Sequence, residues 1–331
     1  MSGQEGLGGL GEFGLIQALT GSLKGRGDVP LGVGDDCAIL DVAGKQLLLT
    51  SDASLEDVHF KRSWGQPAEL GWKSAVSALS DIAAMGGRPM VVLVTLALPD
   101  DISVDWVKEF YCGLTDAVEC AGATIVGGDT TASSSGIVVD LTVIGEVVGR
   151  PVLRSGACPG DVVAMTGAIG ERGAGLHALL AGIDAPEFVG AYLHPEPRIA
   201  AGQWLQGRSG VHAMMDVSDG LLPDARHIAS ASGVGVALWR DRLPIHRGLE
   251  AYWTAHGEDC VHQRLQSGEE YELLVVLDAE ESVALCSDFF AETGLPLHVL
   301  GHCVDGPPII TLDGEPLARA GFEHFRDTPS E

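Results

Sequence analysis

Between residues 46 and 51 the chain reads QLLLTS, an apolar run closed by hydroxyl residues, which predicts a buried strand. The apolar positions then recur at three-and-four spacing over 68–85 and again over 104–120, the signature of two amphipathic helices. Shorter apolar runs predict strands at 91–98, 123–126 and 137–144. Strands and helices in this order describe an α/β sandwich with a mixed sheet. The periodicity stops at 149–160 (GRPVLRSGACPG), where Arg, Pro and Gly mark a domain boundary. A second α/β unit follows, with strands expected at 162–166, 212–216, 271–277 and 297–303, and helices at 173–181, 197–205, 223–231 and 280–293. The glycine-rich start GLGGLGEFG has no strand before it and reads as a flexible leader. The division is therefore a leader over 1–11, a first domain over 12–149 and a second over 150–331.

Composition narrows the class. With 46% hydrophobic and 20% charged residues the 331-residue chain is folded, not disordered. Its formal net charge of −26, with no run of Lys or Arg, argues against nucleic acid as a partner. The longest apolar run, Met90 to Leu98, is far short of the ~20 residues of a membrane helix, and the first residues lack a basic, then apolar, signal pattern. Seven scattered cysteines without a C-x-x-C pair fit a reduced, cytoplasmic protein, and Cys37 reads as a small core residue.

The carboxylates carry the chemistry. Asp35 and Asp36 lie in GVGDDC before a new strand, Asp52 follows QLLLTS, Asp129 closes TIVGGD and Asp216 closes HAMMD. Strand ends are where open α/β sheets bind ligands, so these residues are either turn aspartates or oxygen ligands for a hard cation. Within the helix 68–85, Trp72, Ala75, Val76, Leu79, Ile82 and Ala83 form the apolar face; Asp81 falls opposite, with Ser74, Ser77 and Ala84. That face is either solvated or small enough to leave room for a metal. Were Asp36, Asp52, Asp81, Asp129 and Asp216 to converge, each pair ~4 Å apart would repel by about 4 kcal/mol, and divalent cations would be required. Oxygen-only donors select Mg²⁺ or Mn²⁺, and the chemistry implied is phosphoryl transfer. There is no P-loop and no strand-linked G-x-G-x-x-G. Gly127-Gly128-Asp129-Thr130 instead offers backbone N–H groups beside a carboxylate, and Ser218-Asp219-Gly220 precedes a helix, either to bind an anion there or to cap it.

GVGDDCAIL, TSDASLEDVHF, LSDIAAMG, VGGDTT, VLRSGACPGD, DVSDGLLPD and SGEEYEL stand in the order found in thiamine-monophosphate kinases, and the chain resembles that family from about Glu12 to Phe325. The resemblance implies two α/β (α+β) domains of the aminoimidazole ribonucleotide synthetase-like fold. In it the N-terminal mixed sheet pairs into a barrel-like homodimer interface, and the C-terminal domain completes the substrate site. It implies phosphorylation of thiamine monophosphate by ATP, in line and with several Mg²⁺ ions. Asp36, Thr50, Ser51, Asp52, Asp81, Asp129, Asp216 and Asp219 then resemble metal ligands, with Asp52, Asp129 and Asp219 nearest the chemistry. Gly128, Asp129, Arg154 and Ser218 resemble ATP contacts, and His59, Glu269 and Phe322 contacts to thiamine monophosphate, Phe322 by stacking. A ring-closing or selenophosphate-forming relative is the enzyme alternative. The first cysteine, Cys37, lies inside GDDC and disfavours the second of these. A non-catalytic sensor is disfavoured by the retained acidic set.

Overall fold

The computed structural model describes residues 7–318, 321, 322 and 324, with the side chains of 7–10 left aside. The first helix, α1 (Leu7–Thr20), is kinked at Gly11, where φ is 66°. The expected flexible leader is thus helical from Leu7, while 1–6, and Glu323 and Phe325 on either side of His324, lie outside the described residues.

The first domain follows as β1 (Ala38–Val42), β2 (Lys45–Leu55), α2 (Pro67–Ala84), β3 (Arg88–Leu98), α3 (Val104–Cys120), β4 (Thr124–Ala132) and β5 (Val138–Val147). Its sheet runs in the order β1-β2-β5-β3-β4, with only the β3–β4 pair parallel. β5 alternates strictly between buried and half-buried positions, with Val139, Leu141 and Val143 turned inward onto α2 and α3. The expected strand at 123–126 continues to Ala132, because pairing with β3 persists as far as Leu98. The sheet is open, edged by β1 and β4, so one chain closes no barrel among its described residues.

α2 starts at a capping box: the Gln66 N–H donates to Glu69, and Pro67 stands at the first helical position. It lies unusually close to α3. A Cβ added to Gly71 would come within 2.0 Å of the Phe110 carbonyl, and one on Gly113 within 1.9 Å of that of Ala68. The face of α2 carrying Asp81 is not solvated. Ser74 and Ala84 are buried, because elements of the second domain pack over that side.

That second domain comprises β6 (Val162–Thr166), α4 (Glu171–Ala181), α5 (Pro186–Leu193), α6 (Ile199–Gln206), β7 (Val211–Asp216), α7 (Leu221–Ser232), β8 (Gly235–Leu238), α8 (Leu249–Ala255), α9 (Cys260–Gln266), β9 (Leu273–Leu277), α10 (Ser282–Thr293), β10 (Leu297–Val304), β11 (Ile310–Leu312) and β12 (Glu315–Pro316). The strands form one sheet in the order β12-β11-β8-β10-β6-β9-β7. β9 is buried along its whole length because both faces are covered: Leu274 and Val276 enter one core, Leu273, Val275 and Leu277 another. β9 begins at Leu273 and not at 271, since Tyr271 has φ 51° and cannot extend the strand. Among the described residues, no helix is long and apolar enough to cross a membrane.

Candidate active site

Between the domains lies a cavity of about 610 Å³. β2 and α2 supply Asp52 and Asp81 to its wall, β7 supplies Asp216, and the following loop supplies Ser218 and Asp219. Carboxylate oxygens of Asp36, Asp81 and Asp216 lie within 4.8 Å of one another. Two domains therefore converge on one acidic point, as the repeated strand-end carboxylates suggested.

Each carboxylate is held. Asp36 receives Nη2 of Arg154 at 2.6 Å and Nε at 3.2 Å on one oxygen, while its other oxygen is buried with no hydrogen-bond partner. Asp35 accepts the backbone N–H of Arg154 at 3.1 Å. Asp81 accepts the Thr50 hydroxyl and Asp216 that of Ser80. Burial, and then repulsion from Asp216, Asp36 and Asp52, pushes Asp81 well above the ordinary carboxylate range. Asp216 is pushed up to about 7, first by burial and next by Asp36, and Asp35 to about 6, by burial and Asp36. The same burial and surrounding carboxylates raise the Cys37 thiol, which agrees with a core role for that residue.

An oxygen-only cluster, raised in proton affinity and carrying one buried oxygen without a partner, fits a hard divalent cation of the Mg²⁺ class. Asp36, Asp81 and Asp216 are the residues that would hold it, with Asp52 and Thr50 beside them on β2.

Strand register separates two expected residues from this group. Asp52 pairs with Leu141, which pairs with Val94, which pairs with Gly128; these positions share the inner face. Asp129 pairs with Thr95 and so belongs to the outer face, three strands or about 14 Å from the row of Asp52. It is exposed and stands apart from the cavity of its own chain. The Ser51 side chain also turns outward, its hydroxyl donating to Asp140 at 2.8 Å, although the residue lines the cavity next to Asp52. Gly128 has a packing requirement of its own: a Cβ there would lie 1.8 Å from the Val94 carbonyl.

The loop before α7 departs from the capping reading of its sequence. The N-cap is Gly220, so neither Ser218 nor Asp219 caps the helix. The backbone N–H groups of Ser218, Asp219 and Gly220 all donate to one oxygen of Asp224, at 3.1, 3.2 and 3.1 Å. An internal carboxylate thus takes up these backbone donors, while Ser218 and Asp219 themselves line the cavity. Asp224 was legible only as the last residue of DVSDGLLPD. Its other oxygen is buried and unpaired, and it gathers with Asp219 and His227.

His59, Glu269 and Phe322 all reach the cavity wall. Nδ1 of His59 accepts the Leu55 N–H at 3.0 Å, and burial lowers its proton affinity, so the ring is neutral with Nε2 carrying the proton. Phe322 is half exposed and meets His324 edge-on at 4.7 Å. His324 donates its backbone N–H to Glu12, tying the tail to α1. Glu12, His324 and Tyr192, all on the wall, were missed because nothing local in the sequence marks them.

Two α/β domains meeting at an acidic cleft define an AIR synthase-related protein. The family model for the AIR synthase related protein N-terminal domain matches residues 34–147, and that for the C-terminal domain residues 158–313. Thiamine-monophosphate kinase from Aquifex aeolicus is 34% identical over 321 residues, covering 96% of this chain and 98% of the relative. Its namesake from Escherichia coli K12 is also 34% identical, over 95% and 98%. A solved structure described as AaThiL complexed with AMPPCP and TMP superposes with a TM-score of 0.87 at 33% identity, over 98% of this chain and all of the other. The chain belongs to the thiamine-monophosphate kinase family.

Proposed function

We propose that this protein transfers the γ-phosphoryl group of ATP to thiamine monophosphate, giving thiamine diphosphate and ADP. The observation that carries the reading is the convergence of Asp36, Asp81 and Asp216 from both domains, with Asp81 and Asp216 lining the cavity that Glu269, His59 and Phe322 also line. Several Mg²⁺ ions, when bound, would supply the positive charge that an acidic cavity needs before it accepts two phosphorylated ligands. Asp36, Thr50, Ser51, Asp52, Asp81, Asp216 and Asp219 would hold those ions. Arg154 and Ser218 contact ATP. The transfer is in line: a phosphate oxygen of the acceptor bonds to the γ-phosphorus as the bond to the β–γ bridging oxygen breaks, and ADP leaves. Asp52 and Asp219 flank the reacting groups. Glu269, His59 and Phe322 orient the acceptor, the phenyl ring stacking on it.

The protein acts as a homodimer in this reading. The outer face of the first sheet is uncovered and carries an apolar patch beside its polar residues, with Leu93 40% and Val126 57% exposed and Leu47, Leu49 and Ile144 half-buried. Two such faces together make the barrel-like interface, and Gly128 and Asp129 then serve a site shared between copies. The test is product analysis with purified protein, ATP and Mg²⁺. Thiamine diphosphate formed from thiamine monophosphate, and not from thiamine, supports the assignment; ATP binding without that product overturns it. Sedimentation showing a monomer at assay concentration overturns the dimer.

A further inference from the structure

Lys73 has no part in the reading above, yet it is buried within reach of the cavity. It stands on α2 in one row with Ser77 and Asp81, at i, i+4 and i+8, and Ser77 and Asp81 line the cavity. Its side chain is only 6% exposed, and its ammonium donates to Oε1 of Glu269. The same ammonium lies over the Tyr192 ring, 4.5 Å from its centroid. Tyr192 in turn donates its hydroxyl to the backbone carbonyl of His59 at 3.1 Å. One lysine of the first domain therefore joins Glu269, from the turn before β9, to the ring that holds His59.

The turn itself is held against its own preference. Glu269 has φ 58° and Tyr271 φ 51°, a left-handed conformation that non-glycine residues keep only where their surroundings impose it. Its carboxylates are anchored in different directions. Glu270 is bonded by Ser267, the Gly170 N–H and Arg172, and Glu272 by Arg198 and Thr166, all from the second domain. Glu269 is anchored by Lys73, from the first.

We infer that Lys73 is a positioning residue for the acceptor substrate: it fixes the Glu269 carboxylate on the cavity wall, at a set distance from the α2 row that ends in Asp81. The inference rests on the reading of Glu269 as a contact to thiamine monophosphate. Without the ammonium, the carboxylate is left partly buried, without its partner, on a strained turn, and no longer points at the cationic heterocycle of the acceptor. A compact ammonium suits the space between ring and carboxylate better than a planar guanidinium.

The test is a mutant cycle on the full chain, with steady-state kinetics in both substrates. Lys73→Met and Glu269→Gln are each expected to raise KM for thiamine monophosphate about 10- to 100-fold, the effect of losing one charge-assisted contact. KM for ATP and kcat should stay within about threefold. The double variant should be no worse than Glu269→Gln alone, because Lys73 acts through that carboxylate. Lys73→Gln, which keeps a donor, should fall between wild type and Lys73→Met, and it carries the cycle if Lys73→Met does not fold. Effects that multiply in the double variant overturn the inference, as does an unchanged KM accompanied only by a lower Tm. If wild type turns over and Glu269→Gln keeps its KM, the assignment of Glu269 fails and Lys73 with it. A wild-type enzyme that makes no thiamine diphosphate overturns the proposed function itself.

Discussion

Replacing Asp216 by Asn separates the electrostatic cost of the acidic cluster from its use. Asp216 is 2% exposed, and its proton affinity is pushed up to about 7 from 3.8 by burial and by Asp36. A carboxyl raised in the folded state keeps a proton there that the unfolded chain has released. Stability therefore falls as pH rises between those two values. About three pH units at ~1.4 kcal/mol each give roughly 4 kcal/mol lost by pH 8 in protein stripped of metal. Asn keeps the shape and an acceptor for the Ser80 hydroxyl, and removes the charge. In EDTA the variant should melt only slightly above wild type at pH 5, where little more than one of those three units has been crossed. By pH 8 it should melt about 5–10 °C higher. Asp35, raised to about 6, and Glu270, raised to about 7, remain in the variant, so its own curve still declines with pH. Millimolar Mg²⁺ at pH 8 should raise the Tm of wild type more than that of the variant, because it binds the charges that repel one another. Scanning calorimetry from pH 5 to 8, with and without Mg²⁺, measures all of this. A variant no more stable than wild type in EDTA at pH 8 refutes the reasoning.

Asp52→Asn should abolish turnover while leaving the melting transition cooperative, since Asp52 lies on a strand whose pairing is backbone-made; wild-type kcat would remove it from the site. Phe322→Ala should raise KM for thiamine monophosphate and leave that for ATP alone, and an unchanged KM would discard the stacking role. Arg198 donates to both oxygens of Glu272, at 2.9 and 2.6 Å, and Glu272 is 2% exposed. Arg198→Met should therefore cost about 3 kcal/mol in denaturant unfolding, from the buried charge left behind; a loss under about 1 kcal/mol would mean that Thr166 alone satisfies Glu272.

Local pattern made much of the fold legible. The helix at 104–120 and the strand at 162–166 occur with the expected bounds, because periodicity there coincides with real edges of burial. The short elements Pro186–Leu193, Gly235–Leu238, Leu249–Ala255 and Cys260–Gln266 escaped, since each is about two turns or a few residues long and owes its form to packing. The Gly-rich start reads as flexible by composition, yet it is helical from Leu7 and meets the tail through Glu12.

By itself the sequence narrowed the chemistry: carboxylates recurring at strand ends, no P-loop, and an acidic balance that leaves metal ions to supply the positive charge if those carboxylates meet. Those are statements about which groups exist and which local element carries them. Which groups meet was decided by tertiary structure. Asp36, Asp81 and Asp216 are separated by 45 and 135 residues of chain and come together only because α2 is sandwiched between the domains. Asp129 and Ser51, equal to the others as motif residues, point to the far face of the sheet because side chains alternate and register fixes their parity. What the Asp224 carboxylate does, turned back on its own loop, and what Lys73 does, clamped to Glu269, have no signature in sequence. Their roles come from burial, which makes an unpaired charge costly and so forces distant residues to find one another.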